Sequence, residues 1–421
     1  MVAAPLSPPA AAAAWSEALL GGLPAAGGPL APVQERGRRG LASGSLPSRR
    51  EESWRFTPLE VLTALDPAAI PLGSDRPSDL PDVRGAVVRL LLDGRRDPLE
   101  GITLPAGISP LGPAELEQLL GQALEANDSR EHWPVLLNKA TASRVLALRV
   151  HGPIEPVLEL VSDAGAGRCL LPLRVLLVLE EGASLSLLQV HRSAGANLTS
   201  VVVEAQLSHQ ARLDHGLLAI GDPAAALFCH AAVCQEQGSD YAFTSATAGW
   251  GLLRCEPRLQ QREGGAASAL RGLQLVRARE VADTHSQVSF EGPDGRLEQL
   301  HKVVADDAGR SVFNGAVHVP RAAQRTDAAQ LSRSLLLSDR ARVDTKPELE
   351  IVADDVRCAH GATISRLQQN ELFYLQSRGI AADQAAALLL RGYCEEILRS
   401  LPAAAAAWQP LATLLGETSD R

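Results

Sequence analysis

The feature that most constrains the fold is a set of short turns that recur through the middle of the chain, each followed by an alternation of apolar and polar residues. Two of the four intervals between these turns are 28 and 32 residues, and the other two are 43 and 55 residues. The turns are Glu181-Gly182-Ala183, His209-Gln210-Ala211, Gly264-Gly265-Ala266, Asp307-Ala308-Gly309 and Asp339-Arg340-Ala341. An imperfect repeat of this kind indicates a solenoid, in which each unit buries its apolar face only against its neighbours.

The segments between the turns alternate with a period of two, which predicts strands. The predicted strands cover 174–179, 185–190, 200–207, 213–220, 270–276, 311–319, 331–337 and 348–352. Helical crossovers are scarce, so a βαβ sheet is not expected. A β-sandwich is the alternative, but the segment of about 275 residues is longer than one sandwich normally holds. We therefore predict a mainly β fold with a right-handed parallel β-helix core.

Helical regions are expected on both sides of this core. The division is 1–84 (helical), 85–361 (β-helix) and 362–421 (helical). In the first region we expect a helix that packs Trp54 and Phe56 against the main body. In the last, a helix reaches Arg378, Gly379 forms its left-handed cap, and Asp383 opens a second helix that Pro402 ends. One more short helix is expected within 403–415.

Composition restricts the classes of function. The 40 basic and 49 acidic residues give a formal charge of −9, which argues against a nucleic-acid partner. No run of 18 apolar residues occurs, so no membrane span is expected. Six cysteines are too few for a disulfide scaffold, and the acidic residues before the first arginine do not fit a signal or transit peptide. We therefore expect a cytoplasmic protein.

Signatures of common catalytic sites are absent. The sequence has three lysines and no Walker A motif, so we expect no ATP site in this chain. The nucleophile elbow, the zinc-protease helix motif and Cys-x-x-Cys are missing too. None of these signatures therefore assigns an enzymatic activity to the chain; that the protein is a subunit and not a free-standing enzyme is an implication of the resemblance described below.

Two clusters of metal-ligand residue types have a simpler structural explanation. Cys229 and Cys234 lie five positions apart on a predicted strand and should point to opposite faces, as core residues with His230 between them. Two pairs of aspartates suggest the acid–base or metal sites of β-helix polysaccharide enzymes, but acids at turns are usually solvated. These pairs are Asp306-Asp307 and Asp354-Asp355.

A third cluster, Cys358 with His360, differs because two residues separated by one position share a face of a strand. Their side chains should project roughly 7 Å apart. A thiolate and an imidazole together suit iron or iron–sulfur species. Two ligands do not complete a site, so a cluster there needs donors from another chain. By spacing alone, ordinary structural roles remain the simpler interpretation.

Three longer motifs resemble a known family. Residues 354–363 (DDVRCAHGAT) and 371–380 (ELFYLQSRGI) are similar to the C-terminal signature of the SufB/SufD family. Residues 49–59 (RREESWRFTPL) resemble the N-terminal signature of its SufD branch. The likeness runs through the helical N-terminal part, the β-helix and the helical tail.

The resemblance implies a scaffold subunit for iron–sulfur cluster assembly. It implies pairing with a SufB-like subunit through the β-helices, binding of the SufC ATPase, and sulfur supplied indirectly by a cysteine desulfurase system. It further implies that His360, and with it Cys358, meets a transient cluster or iron at the partner interface. The family's SufC-docking region corresponds to Phe373, Tyr374, Arg378 and Gly379. Reduced flavin is associated with the assembled complex in this family, although the chain has no flavin motif.

Two alternatives compete with this interpretation. A SufB-type paralogue would carry glutamate where this chain has Gly361, and it often has N-terminal cysteines, whereas the first cysteine here is Cys169. A β-helix carbohydrate enzyme would line its groove with aromatic residues. Aromatic residues make up only 3% of this chain.

Overall fold

The strands of the protein stack into two sheets that face each other. The computed structural model describes residues 8–67, 70–77, 79–83 and 85–417, and within them each sheet has nine strands. The first sheet, in spatial order, is β1 (Val87–Leu91), β4 (Val157–Asp163), β6 (Ser184–Arg192), β8 (Arg212–Ile220), β10 (Asp240–Ala248), β12 (Ala267–Val276), β14 (Arg296–Ala305), β16 (Asp327–Leu336) and β18 (Arg357–Ser365). The second is β17 (Arg342–Ile351), β15 (Arg310–Val319), β13 (Val281–Phe290), β11 (Leu252–Gln261), β9 (Ala226–Gln235), β7 (Leu198–Leu207), β5 (Leu170–Leu179), β3 (Leu146–Val150) and β2 (Ile108–Pro110).

Beyond β4 the chain alternates between the two sheets, so each coil of the solenoid contributes one strand to each. Neighbouring coils pair in parallel and in register: Tyr241, for example, lies between Leu213 and Ser268. Successive strands of the first sheet begin at Ser184, Arg212 and Asp240, about 28 residues apart. The predicted parallel β-solenoid is confirmed, and every predicted strand lies within or overlaps an observed one. Its right-handed coiling stays a prediction.

The structure also contains helices, most of which cover the outer faces of the two sheets. They are α1 (Pro8–Gly22), α2 (Ala31–Ser43), α3 (Glu60–Ala64), α4 (Pro113–Leu119), α5 (Gln122–Ala126), α6 (Trp133–Thr141), α7 (Gln369–Ser377), α8 (Ala382–Leu398) and α9 (Pro410–Leu415). The N-terminal helices with α5 and α6 pack on the second sheet, whereas α8 and α9 pack on the first. Helices α4 to α6 lie inside the segment 85–361, and the alternation pattern does not predict them.

Because both faces of a sheet are covered, its strands need not alternate between apolar and polar residues. All ten residues of β5 and of β9 are buried. The apolar layer between the two sheets is mostly aliphatic, with Tyr241 and Phe243 among its few aromatic side chains. The small aromatic content of the sequence therefore suffices for a large core.

The C-terminal helices largely follow the sequence analysis. Helix α7 ends before Arg378, and Gly379 has a φ of 87°, the left-handed conformation predicted for it. Asp383 lies in the first turn of α8. The single short helix expected within 403–415 is instead two elements, a 3₁₀ helix (Ala403–Trp408) and α9, because Gln409 between them adopts a left-handed φ of 46°.

The N-terminal motif forms a single 3₁₀ turn, Glu52–Trp54, so the helix expected there is wrong. The predicted burial of Trp54 is confirmed, whereas Phe56 is only half-buried. The guanidinium carbon of Arg254, on β11, lies 3.9 Å from the centre of the Trp54 ring. Arg254 Nη1 also donates to the carbonyl oxygen of Ser53 at 2.9 Å. A short turn is enough here because one buried arginine holds both the ring and the backbone.

Arg254 is itself held by two buried carboxylates. Its Nε lies 2.6 Å from Oε1 of Glu256, and its Nη1 lies 2.6 Å from Oδ2 of Asp283. The Thr57 hydroxyl donates to the same oxygen of Asp283. Burial opposes the charge of Arg254, but the two carboxylates raise its pKa. Conversely, burial opposes the ionised form of Glu256, yet Arg254 holds the pKa of that carboxyl well below its usual range.

We predict that Arg254→Ala lowers the free energy of unfolding by about 3–5 kcal/mol, because it leaves two buried carboxylates without their cation. The measurement is urea denaturation of the full chain. The matched control is Arg212→Ala, which removes an exposed arginine 3.2 Å from Asp240 on a neighbouring strand. That change should cost about 1 kcal/mol or less. Equal losses in the two variants would contradict the central role of Arg254.

Candidate functional site

The edge strands at the two ends of the solenoid differ in length and in what lies next to them. At the N-terminal end, β2 runs antiparallel to β3, and Leu99 and Leu104 of the neighbouring loop pack against the core. At the C-terminal end, β17 and β18 are each the last strand of their sheet. Strands of nine or ten residues at a sheet edge present unpaired N–H and C=O groups that can pair with another chain. The edge strands at the N-terminal end, β1 and β2, have only five and three residues, so the C-terminal end is the open end of the solenoid.

The two strands at the open end differ in chemistry. Strand β17 carries charges and a proline, features that discourage edge-to-edge pairing. These residues are Arg342, Asp344, Lys346, Pro347, Glu348 and Glu350. Strand β18 has one charged residue, Arg357, and exposes Ile364 by 56%. The edge formed by β18 is thus the better suited to receive a partner.

Cys358 and His360 lie on β18 and face the same side of it, as their spacing predicts. In the parallel register Cys358 pairs with Ala328 and His360 with Gln330, both of which are buried. Cys358 is partly buried against the core, whereas His360 is exposed. Burial raises the pKa of the Cys358 thiol, so the sulfur keeps its proton near neutral pH until a metal displaces it. The exposed imidazole is therefore the more available donor.

Behind His360 the interior of the solenoid is polar. Gln330 Nε2 donates to Oε1 of Gln299 at 2.8 Å, and Gln299 Nε2 donates to the Ser286 hydroxyl at 2.7 Å. His301 is buried and stacks on Phe313 with ring centres 4.4 Å apart. Neither nitrogen of His301 has a hydrogen-bond partner among the described residues. Burial lowers the pKa of His301 to about 3.

The predicted docking residues lie on α7 and just after it. Phe373 and Tyr374 are 72% and 58% exposed, and no residue of α7 is buried. The guanidinium of Arg378 lies 5.3 Å from the centre of the Tyr374 ring. These residues form an exposed aromatic surface next to the open end in sequence.

Tyr393, on α8, does not belong to this surface. Its hydroxyl donates to the carbonyl oxygen of Arg333 at 2.7 Å, and Lys302 Nζ lies 4.0 Å from the ring centre. Helix α8 packs on the first sheet through Ile397, Leu398 and their neighbours. Tyr393 is therefore part of the helix–sheet contact.

The two cysteines of the first cluster and the two pairs of aspartates do not converge on a common site among the described residues. Cys229 packs between the two sheets and Cys234 packs under α5 and α6, so the two face opposite sides of β9 as expected. The aspartates lie at separate turns: Asp307 pairs with Arg340 at 3.5 Å, while Asp354 and Asp355 are exposed.

A cluster that the sequence analysis does not predict brings His230 together with His132 and Glu256. Their ligand atoms all lie within 4.8 Å of one another. His230 and Glu256 are 26 residues apart and face each other across the β9–β11 pairing, so they differ by one coil. His132 comes from the loop before α6. The coil period is the one signal in the sequence that could have linked His230 to Glu256, and nothing in it points to His132.

Comparison with known proteins identifies the family. The family model described as "SUF system FeS cluster assembly, SufBD core domain" matches residues 162–393. The chain belongs to the SufB/SufD family. It is 31% identical over 391 residues to an iron–sulfur cluster assembly SufBD family protein of Synechocystis, covering 86% of each chain. It is 28% identical over 377 residues to the iron–sulfur cluster assembly protein SufD of Escherichia coli, again covering 86% of each. A chloroplastic protein of Arabidopsis thaliana, ABCI7, is 36% identical over 233 residues, which are 54% of this chain and 49% of that one.

The family resemblance is thus confirmed, and with it a SufD-like role in iron–sulfur cluster assembly. Membership sets aside a carbohydrate enzyme. Within the described residues, no helix has the length and apolar character needed to cross a bilayer.

We predict a measurable pH dependence from His301. Since its pKa in the folded chain is about 3, against about 6.5 when unfolded, the unfolded chain takes up this proton first as pH falls below 6.5. Stability is therefore lost on acidification by about 1.4 kcal/mol per pH unit for this one group. His301→Gln should reduce the slope of unfolding free energy against pH, between pH 6 and 4, by about that amount. His318→Gln, which removes a half-exposed imidazole, is the control, and an equal change in both variants would contradict the prediction.

Proposed function

We propose that this chain is the SufD-type subunit that closes its open end against a SufB-like partner and holds a nascent cluster at that seam. The observation that carries the proposal is the uncapped end of the solenoid, where the charge-poor edge of β18 displays Cys358 and His360. A partner that adds its own coil there would satisfy the edge hydrogen bonds and bury the exposed apolar residues of β18.

Iron and sulfide are cargo at this seam. His360 offers an exposed imidazole nitrogen and Cys358 a sulfur two positions away, both donors that suit iron–sulfur species. Two donors from one chain leave most coordination positions to the partner. A cluster assembled there is therefore transient and is released when the two chains separate or a better set of ligands arrives.

A SufD-type subunit would also bind the other components of the assembly complex. The exposed aromatic surface of α7, with Phe373, Tyr374, Arg378 and Gly379, would dock the SufC ATPase, which supplies the ATP site that this chain lacks. Sulfur would come indirectly from a cysteine desulfurase system, and reduced flavin would bind to the assembled complex. The chain acts as a scaffold without catalysis of its own. We place it in the cytoplasm.

His360→Ala should abolish most of the cluster formed on the complex and leave assembly intact. The side chain is exposed on an edge strand, so its loss should change the stability of the subunit by about 0.5 kcal/mol or less. The measurement is iron and sulfide content of the anaerobically purified complex with SufB and SufC. Cys358→Ala should have a weaker effect, because its partly buried thiol is the less available donor.

The matched control is His318→Ala, which removes a half-buried histidine on β15 rather than on the last strand. It should leave cluster content at the wild-type level. Wild-type iron and sulfide in the His360→Ala complex would remove His360 from the site. Failure of that variant to assemble with SufB would instead make it a structural interface residue.

The docking surface is tested by charge introduction rather than by truncation, since deleting the tail would also remove the packing of α8. The double variant Phe373→Asp/Tyr374→Asp should lose SufC in a pull-down while its thermal midpoint stays near that of the wild type, because α7 buries none of its residues. Ile102→Asp, at another exposed apolar residue, is the control and should retain SufC. Retention of SufC by the double variant would refute the docking assignment.

A further inference from the structure

The cluster of His132, His230 and Glu256 has a geometry suited to a metal ion. His230 Nδ1 lies 3.0 Å and His132 Nδ1 lies 3.4 Å from the same carboxylate oxygen, Oε2 of Glu256. Around a tetrahedral ion with bonds of about 2.0–2.1 Å, neighbouring ligand atoms are about 3.3 Å apart. These two distances therefore match the spacing of ligands around one ion, and the two imidazole nitrogens lie within 4.8 Å of each other.

The two carboxylate oxygens of Glu256 have different partners. Oε1 accepts from Arg254 at 2.6 Å, whereas Oε2 faces the two imidazoles. Oε2 can therefore bind an ion through one oxygen without breaking the ion pair that anchors the N-terminal motif. A set of two histidines and one carboxylate is common to zinc enzymes and to non-haem iron sites.

The residues around His230 can provide hydrogen-bond partners for its ring nitrogens both with and without a bound metal. Its Nε2 lies 3.0 Å from the Ser129 hydroxyl, which can also donate to the carbonyl oxygen of Leu124 at 3.2 Å. Without a metal, Nδ1–H donates to Glu256 and the hydroxyl donates to Nε2. When a metal takes Nδ1, the proton moves to Nε2 and the hydroxyl turns to Leu124. Ser129 thus provides the outer hydrogen bond that metal-binding histidines normally have.

The cluster is reachable from solvent. His132 is 30% exposed and, with Glu256, lines a cavity of about 340 Å³ between the N-terminal helices and the second sheet. Trp133 and Arg258 line the same cavity, and each has a buried N–H group, Nε1 and Nε respectively, without a hydrogen-bond partner among the described residues. Such donors can hold water or another oxygen ligand that completes the coordination of an ion.

We propose that His132, His230 and Glu256 bind one divalent transition-metal ion of the zinc or ferrous-iron class, with the remaining positions open to the cavity. The site is separate from Cys358 and His360, and it does not depend on the proposed function. It joins the loop before α6 to two coils of the second sheet. Metal binding therefore stabilises the attachment of the inserted helices, because the folded chain alone brings the three ligands together.

The test measures binding of Zn²⁺ and Co²⁺ to the purified full-length chain. Equilibrium dialysis with metal analysis should give one equivalent of Zn²⁺, and Co²⁺ should give visible absorption bands without thiolate charge transfer. Removing one of three ligands in His132→Ala should weaken Zn²⁺ binding at least tenfold and abolish the rise in thermal midpoint that Zn²⁺ produces. His132→Asp, which restores an oxygen ligand, should recover part of the affinity. Anaerobic competition with Fe²⁺ decides which ion is preferred.

Two controls make the outcomes distinct. His151→Ala removes a half-exposed histidine whose Nδ1 lies 2.7 Å from Glu180, a pair without a third ligand, and it should leave metal binding unchanged. The double variant Cys358→Ala/His360→Ala should also keep the Zn²⁺ equivalent, so failure of the open-end site cannot be mistaken for failure of this one. The proposal is overturned if the wild-type chain binds no stoichiometric metal, if His132→Ala binds as tightly as the wild type, or if the Co²⁺ spectrum shows sulfur ligation.

Discussion

The structure depends on the in-register parallel pairing of successive coils. Each coil buries its backbone hydrogen bonds and its inward side chains against the coils on either side, so only the first and last coils lack a neighbour. At the first end, the short strand β2 pairs with β3, and the loop that carries Leu99 and Leu104 packs against the core. The last end is left open, with β18 poor in charge. A solenoid built in this way concentrates its capacity for association at one end.

The outer faces impose a second requirement, because a parallel sheet of aliphatic residues must be covered on both sides. The C-terminal helices cover one sheet by apolar packing, while the N-terminal region relies on a polar anchor as well. Arg254 joins Trp54, Ser53, Glu256 and Asp283 in one buried network. Residues of the N-terminal family motif are thus partners of a core arginine, and Glu52 of the motif also accepts from Lys346 on β17 at 2.8 Å.

The same network places Glu256 beside two histidines, which links the structural anchor to a group with the chemistry of a metal site. The open end and this cluster use different elements: β18 for the first, and β9, β11 and the loop before α6 for the second. If both sites take metal, the chain would carry one ion as a fixed part of its structure and another as cargo. The spectroscopic distinction is the thiolate, present at Cys358 and absent from the histidine–glutamate cluster.

The sequence by itself determined the coil period, the flanking helices, the left-handed Gly379 and the shared face of Cys358 and His360, because these follow from local periodicity and turn chemistry. Family motifs then supplied the cluster-assembly role. Only the tertiary structure showed that the turn at Trp54 rests on Arg254, that Tyr393 is packed against Lys302, and that His132 reaches Glu256. These contacts join residues more than 90 positions apart. They depend on how the helices pack across the coils of the solenoid. Local sequence patterns do not predict that packing.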